Sequence, residues 1–230
     1  MQNQIDQLVL LNGGFGKRVK SISKQKPKCL IKFKKKSFLY WQLNMFRENG
    51  IKEVIICVGY KNQFISQEIK KLNIENLKIK IIKENYPLGT GGAIKNCKKY
   101  LKNFFYVTYG DSWLNLRFSN LKKKFINSKS KNIITVIEKK KINNHLPNIL
   151  IKNNKVIDYC KNKESYNFID YGLMIFNRTI FNKIKKKRFD LSYIINKLIS
   201  SKSTDYYKVK SKFYEIGSLK GIKEFKEIIK

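Results

Sequence analysis

Four short apolar runs, separated by stretches of helical period, constrain this fold more than anything else in the chain. They lie at residues 8–11 (LVLL), 54–58 (VIICV), 78–83 (KIKIIK) and 104–108 (FFYVT). Residues 37–49 place Phe38, Leu39, Trp41, Leu43 and Phe46 on a rough helical period and close on Asn49-Gly50, a C-cap signal. Residues 63–72 predict a second helix. Strands alternating with helices at this spacing argue a parallel sheet with crossover helices. The expected fold is α/β, a Rossmann-like three-layer α/β/α arrangement with a mostly parallel central sheet. Such sheets bind ligands outside the carboxyl ends of their strands.

Chemistry-bearing residues stand at those ends. The first run breaks into Asn12-Gly13-Gly14-Phe15-Gly16-Lys17-Arg18, with Pro27-Lys28 ten residues on. Glycines let backbone amides approach a ligand, and successive free N–H groups make a concavity for phosphate oxygens. Arg18 and Lys28 add fixed positive charge. Neither the Walker loop nor the dinucleotide GxGxxG pattern is present. The third run ends in Glu84-Asn85-Tyr86-Pro87-Leu88-Gly89-Thr90-Gly91-Gly92-Ala93, read both as a turn with Thr90 capping a helix over 91–100 and as a backbone wall that a flat base can approach. The fourth ends in Gly110-Asp111, a carboxylate placed for Mg²⁺, which favours oxygen ligands and bound phosphates.

A chain of 230 residues at 42% hydrophobic content can bury a full core. It has no apolar run of eighteen and no leader pattern, so no membrane span is expected. Cys29, Cys57, Cys97 and Cys160 lie far apart without a CxxC pair, which argues against disulfides or zinc and for a reducing cytoplasm. The formal charge is +34. A basic chain raises nucleic acid as a partner, but the arginines are only Arg18, Arg47, Arg117, Arg178 and Arg188, and the lysines are spread along the whole length. Ala93 is the sole alanine while Lys, Asn and Ile abound, a composition expected of A/T-rich coding. No specific nucleic-acid partner is expected, though the field should concentrate anionic substrates.

Further along, 121–128 reads as a helix and 133–137 as a strand. Residues 138–147 read as a polar loop in which His145 is a surface residue. Residues 149–152 and 156–159 read as a hairpin around Asn153-Asn154, 167–176 as a strand, 179–186 and 191–200 as helices, and 219 onward as a last amphipathic helix.

These motifs, in this order, resemble the sugar-phosphate nucleotidyltransferase family, whose signatures are GGxGxRL with a later Pro-Lys, PLGTGGA after the third strand, and a Gly-Asp after the next. PLGTGGAI looks most like the heptose-1-phosphate guanylyltransferases. The resemblance implies transfer of a nucleoside monophosphate from an NTP to a sugar 1-phosphate, with Mg²⁺ as cofactor. It implies Arg18, Lys28 and Asp111 as catalytic residues, and Leu11, Asn12, Gly13, Gly14, Gly16, Glu84, Gly89 and Thr90 around the nucleotide. Gly110, Lys161, Asp170, Tyr171 and Gly172 would serve the sugar phosphate, with Asp170 open to sugar hydroxyls. Asp111 and Glu215 would hold the metal. The expected organisation is one domain over 1–230, with a nucleotide half to about 110 and a sugar-phosphate half beyond it. The chain departs from the family at Lys17, at Lys35-Lys36-Ser37 where Gly-Lys-Pro is usual, at Asp170-Tyr171 in place of Asn-Ala, and at Glu215 in place of Asp. These departures leave two alternatives: a cytidylyltransferase acting on a non-sugar phosphate such as phosphocholine, and a non-catalytic nucleotide-sugar-binding relative. The sequence leaves oligomeric state open.

Overall fold

The computed structural model describes residues 4–13, 26–59, 61–142, 145–161 and 163–229. Its first strand, β1 (Gln7–Leu11), is buried from end to end. Leu8 and Leu10 enter one core layer and Val9 and Leu11 the other, as the two-residue period of a strand covered on both faces demands. The chain continues through a 3-10 turn at Lys28–Leu30, a small hairpin of β2 (Lys32–Phe33) and β3 (Lys36–Ser37), α1 (Phe38–Glu48), β4 (Glu53–Val58), α2 (Asn62–Lys71), β5 (Lys78–Lys83), α3 (Gly89–Asn96), β6 (Phe104–Tyr109) and β7 (Ser112–Trp113). Then come α4 (Phe118–Asn127), β8 (Ile133–Glu138), β9 (Ile149–Lys152), β10 (Lys155–Tyr159), β11 (Phe168–Asn177), α5 (Leu191–Ser200), β12 (Asp205–Lys208), β13 (Tyr214–Glu215) and α6 (Leu219–Ile228).

The main sheet runs β5-β4-β1-β6-β11, with β8 and then β12 beyond β11, and the β9–β10 hairpin joined at the start of β11. Strands β5, β4, β1 and β6 are parallel, whereas β11 is antiparallel to both β6 and β8. The chain lays β4 and β5 on one side of β1 and then returns to place β6 on the other. That reversal opens a crevice at the carboxyl ends of β1 and β6, where Leu11 is level with both Cys57 and Tyr109.

Helices α1, α2 and α4 cover one face through residues such as Leu43, Ile65 and Leu121; α3 and α5 cover the other through Ile94 and Ile195. A third cluster joins the β2–β3 hairpin and the start of α1 to α6. Phe225 of α6 packs edge-on against Phe33 and Phe38 at 4.7 and 4.8 Å between ring centroids, and Ile216 and Ile222 complete it. Burying one such ring contributes about 2–3 kcal/mol.

Several expectations need correction. No α-helix spans 179–186; after a 3-10 turn at Arg178–Phe181, the segment up to Phe189 crosses the start of α3, where the Phe189 carbonyl accepts from the Gly91 and Gly92 amides, both at 3.0 Å. Thr90 is not the cap of α3, because Leu88 occupies that position and the Thr90 hydroxyl accepts instead from the Leu191 amide at 2.8 Å. The predicted helix over 91–100 ends at Asn96 and passes into a separate 3-10 turn. Strands β7, β12 and β13 carry no signal in the sequence. At the hairpin before α1, Lys34 and Lys35 hold φ of 45° and 66°, a left-handed conformation that disfavours side chains with a Cβ. Ser37 then caps α1, accepting from the Tyr40 amide at 3.2 Å.

Candidate active site

A cleft of about 680 Å³ opens at the β1–β6 crevice, walled by the residues that follow β1, β4, β5 and β6. Leu11, Asn12, Gly13, Glu84, Gly89, Thr90, Gly110, Asp111 and Lys28 all line it. The sheet's register therefore brings together motifs that lie up to a hundred residues apart. Gly14, Gly16 and Arg18 lie outside the described residues.

The central contact is an ion pair, Lys28 Nζ to Asp111 Oδ2 at 3.0 Å, with the lysine side chain 15% and the aspartate 34% exposed. Lys28 is placed by the 3-10 turn that follows Pro27. Asp111 is placed by the end of β6 and by its carbonyl, which accepts from the Ile216 amide at 3.0 Å. Gly217 sits over the pair: a Cβ there would stand 3.5 Å from Lys28 Nζ and 3.7 Å from Asp111 Oδ2. Gly110 has no room for a Cβ, which would collide with Asn12 Oδ1. Its amide donates to the Leu11 carbonyl at 2.9 Å.

Glu84 enters from the end of β5. Its Oε2 accepts from the Leu88 amide at 3.0 Å, and its Oε1 lies 3.3 Å from where a Cβ on Gly13 would be. Burial pushes its carboxyl up from the usual value, with the Leu88 N–H pulling the other way. The glycines after it have a packing role that sequence reading did not assign. A Cβ at Gly91 would fall 2.5 Å from the Phe189 ring, and one at Gly92 2.5 Å from the Lys187 carbonyl. Gly91 and Gly92 thus admit the crossing segment 187–190, as does Gly89, where a Cβ would fall 2.6 Å from the Phe189 carbonyl oxygen; Gly89 and Thr90 also line the cleft.

On the other side, Asp190, just before α5, reaches the cleft wall and pairs with Lys161 Nζ at 3.2 Å. Asp170 is differently placed from its expected role. It is buried; its Oδ2 accepts from Tyr109 Oη at 3.2 Å and Tyr159 Oη at 3.0 Å, and its Oδ1 from the Gly172 amide at 2.9 Å. Burial raises its carboxyl to about 6, against the lowering effect of those three donors. What this carboxylate offers the cleft comes through Tyr109, which does line it. Tyr171 is corrected outright: strand alternation turns its ring into the opposite core layer, edge-on to Phe213, where its hydroxyl accepts from the Asn115 amide at 2.9 Å. Gly172, with φ of 91°, carries the bulge in β11, and a Cβ there would press on the Tyr109 ring at 3.2 Å.

Glu215 pairs with Ser112 across β13–β7, next door to Asp111. Its carboxylate meets the ring of His145, Oε2 to Nε2 at 3.2 Å, so His145 is no bystander. Asp190, Lys61 and Tyr109 also line the cleft and were not singled out from sequence. The position of Asp190 ahead of a helical run and of Lys61 after a strand end were the available signals. Among the described residues no group of three or more His, Cys, Asp or Glu side chains is arranged to hold a metal. Asp111, just after β6, and Glu215, on β13, are two carboxylates, a donor set of the kind a hard divalent cation favours.

The cleft thus lies at the carboxyl ends of the strands of an open α/β sheet, with the Lys28–Asp111 pair inside it. The sequence matches the nucleotidyl transferase family over residues 7–230, and the chain belongs to that family. It is 42% identical over 116 residues to D-glycero-alpha-D-manno-heptose 1-phosphate guanylyltransferase of Campylobacter jejuni, covering 50% of this chain and 52% of that one. The enzyme of the same name from Aneurinibacillus thermoaerophilus is 27% identical over 175 residues, 75% of each chain. Mannose-1-phosphate guanylyltransferase catalytic subunit beta of Dictyostelium discoideum is 27% identical over 190 residues, 78% of this chain and 52% of that one, so the chain spans about half the length of the Campylobacter and Dictyostelium relatives. In three dimensions it is similar to HddC from Yersinia pseudotuberculosis, solved with GMP-PN, at a TM-score of 0.84 and 26% identity over 98% of this chain and 100% of that one. No helix among the described residues is long and apolar enough to cross a membrane.

Proposed function

We propose that the protein transfers a nucleoside monophosphate from an NTP to a sugar 1-phosphate, giving an NDP-sugar and pyrophosphate for surface polysaccharide synthesis in the cytoplasm. The observation that carries this reading is the Lys28–Asp111 pair at the β1–β6 crevice, facing Gly13 and Glu84 across one cleft. A sugar-phosphate oxygen forms a bond to the α-phosphorus as the bond from that phosphorus to the bridging oxygen breaks and pyrophosphate leaves. The nucleophile is already an anion, so no general base is required. Lys28 stabilises the charge that builds on the α-phosphoryl oxygens. The amides from Gly13 onward, with Gly14, Gly16 and Arg18, serve the departing pyrophosphate. Asp111 and Glu215 would hold Mg²⁺, which when bound would neutralise charge on the reacting phosphates.

Guanine is the base the cleft favours. A carboxylate accepts only, and the Watson–Crick edge of guanine offers two adjacent donors, N1–H and N2–H. Glu84 supplies that complement, in keeping with the relatives named as guanylyltransferases. The sheet divides the labour: the strands to about residue 110 serve the nucleotide, and those beyond it the sugar phosphate through Lys161 and Gly110. The test is pyrophosphate release from each of the four NTPs against hexose, heptose and amino-sugar 1-phosphates. Release requiring GTP and one sugar phosphate is expected. Nucleotide binding without release on any substrate would sink the catalytic reading.

A further inference from the structure

Glu215 stands where the family signature has aspartate, and its longer side chain needs an explanation that the chain itself supplies. The extra methylene moves the carboxylate outward and adds a rotor whose freedom must be lost before the group can act. In the structure that freedom is already restricted. His145 Nε2 lies 3.2 Å from Glu215 Oε2, and the imidazole is seated edge-on against Phe213 at 5.2 Å between centroids. Phe213 is seated in turn against Tyr171 at 5.4 Å, and Tyr171 is buried and held by the Asn115 amide. The chain's one histidine, in the stretch leading to β9, is thus braced from the core and aimed at this carboxylate. A partner that fixes one carboxylate oxygen orients the other, as hydrogen-bonding neighbours of metal-holding groups do.

We propose that His145 is a positioning residue that holds Glu215 through Oε2 and so leaves Oε1 for a divalent cation shared with Asp111. The inference rests on the reading of Glu215 as a metal-holding residue. It also accounts for the glutamate: a longer side chain with an imidazole brace takes the role of a shorter one without it.

The experiment is Mn²⁺ titration of the whole protein without nucleotide, followed by electron paramagnetic resonance of the free ion. His145→Phe keeps a ring against Phe213 but removes the nitrogen; His145→Gln keeps a donor and loses the ring. Positioning predicts at least about fivefold weaker Mn²⁺ binding in His145→Phe and recovery of most of it in His145→Gln. It also predicts coupling: in a Glu215→Asp background, whose carboxylate falls short of the imidazole, His145→Phe should change affinity by less than about twofold. A purely structural histidine gives the opposite ranking, with His145→Phe near wild type and His145→Gln impaired, and that result overturns the proposal. Wild-type affinity in both His145 variants alongside weak binding in Glu215→Ala also overturns it. Wild-type affinity in Glu215→Ala as well would instead remove Glu215 from the metal site, and the underlying reading with it.

Discussion

Asp111 follows β6 and Asp170 lies within β11, its antiparallel neighbour in the sheet, yet their carboxylates stand in opposite surroundings. Asp111 is a third exposed and answers a single lysine. Asp170 is buried and accepts three hydrogen bonds from two phenols and an amide. The first is held by one partner and stays open to solvent; the second is saturated by its neighbours, Tyr109 among them. Both residues are aspartates within two positions of a motif glycine, Gly110 or Gly172, and their environments alone separate a partly exposed, singly paired carboxylate from a buried, saturated one.

The sharpest way to break that contrast is Asp111→Ala. Pyrophosphate release should fall by about 10³-fold or more, while the unfolding midpoint moves little. A comparable loss from Asp170→Asn with unchanged stability would erase the distinction. The second test uses pH. Because the folded-state carboxyl of Asp170 is raised to about 6 from its ordinary 3.8, its contribution to stability is fully present below about 3.8 and is lost as pH rises through about 6. The full swing is on the order of 3 kcal/mol. The stability of wild type relative to Asp170→Asn should therefore decline between pH 4 and 7, measured by denaturant unfolding; a difference independent of pH would overturn the assignment.

Glu84 offers a third carboxylate between the two extremes, half satisfied by the Leu88 amide. Glu84→Gln should cost about 10–100-fold in kcat/KM for GTP while affecting other NTPs less, read from competition between nucleotides. Gly91→Ala moves the comparison to backbone: its Cβ would meet the Phe189 ring, with an expected loss of about 1–3 kcal/mol in unfolding free energy. The smallest effect is a gain. Lys35→Gly relieves a left-handed residue in the β2–β3 hairpin and should stabilise the fold by about 1 kcal/mol.

Much of this was legible in the sequence because the relevant information is local. Apolar runs with covered faces became β1, β4 and β6, and the glycine and Gly-Asp motifs fell at their ends. What was illegible depends on contacts between distant segments. The apolar spacing of Ile180, Phe181 and Ile184 reads as a helix, but the Phe189 carbonyl must reach the Gly91 and Gly92 amides, and the chain crosses α3 instead. β7 and β13 are two residues each and exist only because they pair with one another. The role of Asp170 depends on Tyr109 and Tyr159, and that of His145 on a glutamate seventy positions away; neither partner is marked by spacing or pattern.

The packing of Phe225 against Phe33 and Phe38 also bears on how the protein is made. The hairpin beside Lys28 spans residues 32–37 and α6, which covers it, residues 219–228, so the hairpin is synthesised well before its cover. A contact of such sequence separation forms late and slowly, because the intervening loop must close first. The sheet can assemble as its strands emerge, whereas the seat of Lys28 and Gly217 waits for α6. Nascent chains halted before α6 should carry a nearly complete sheet with Lys28 and Gly217 not yet seated against one another.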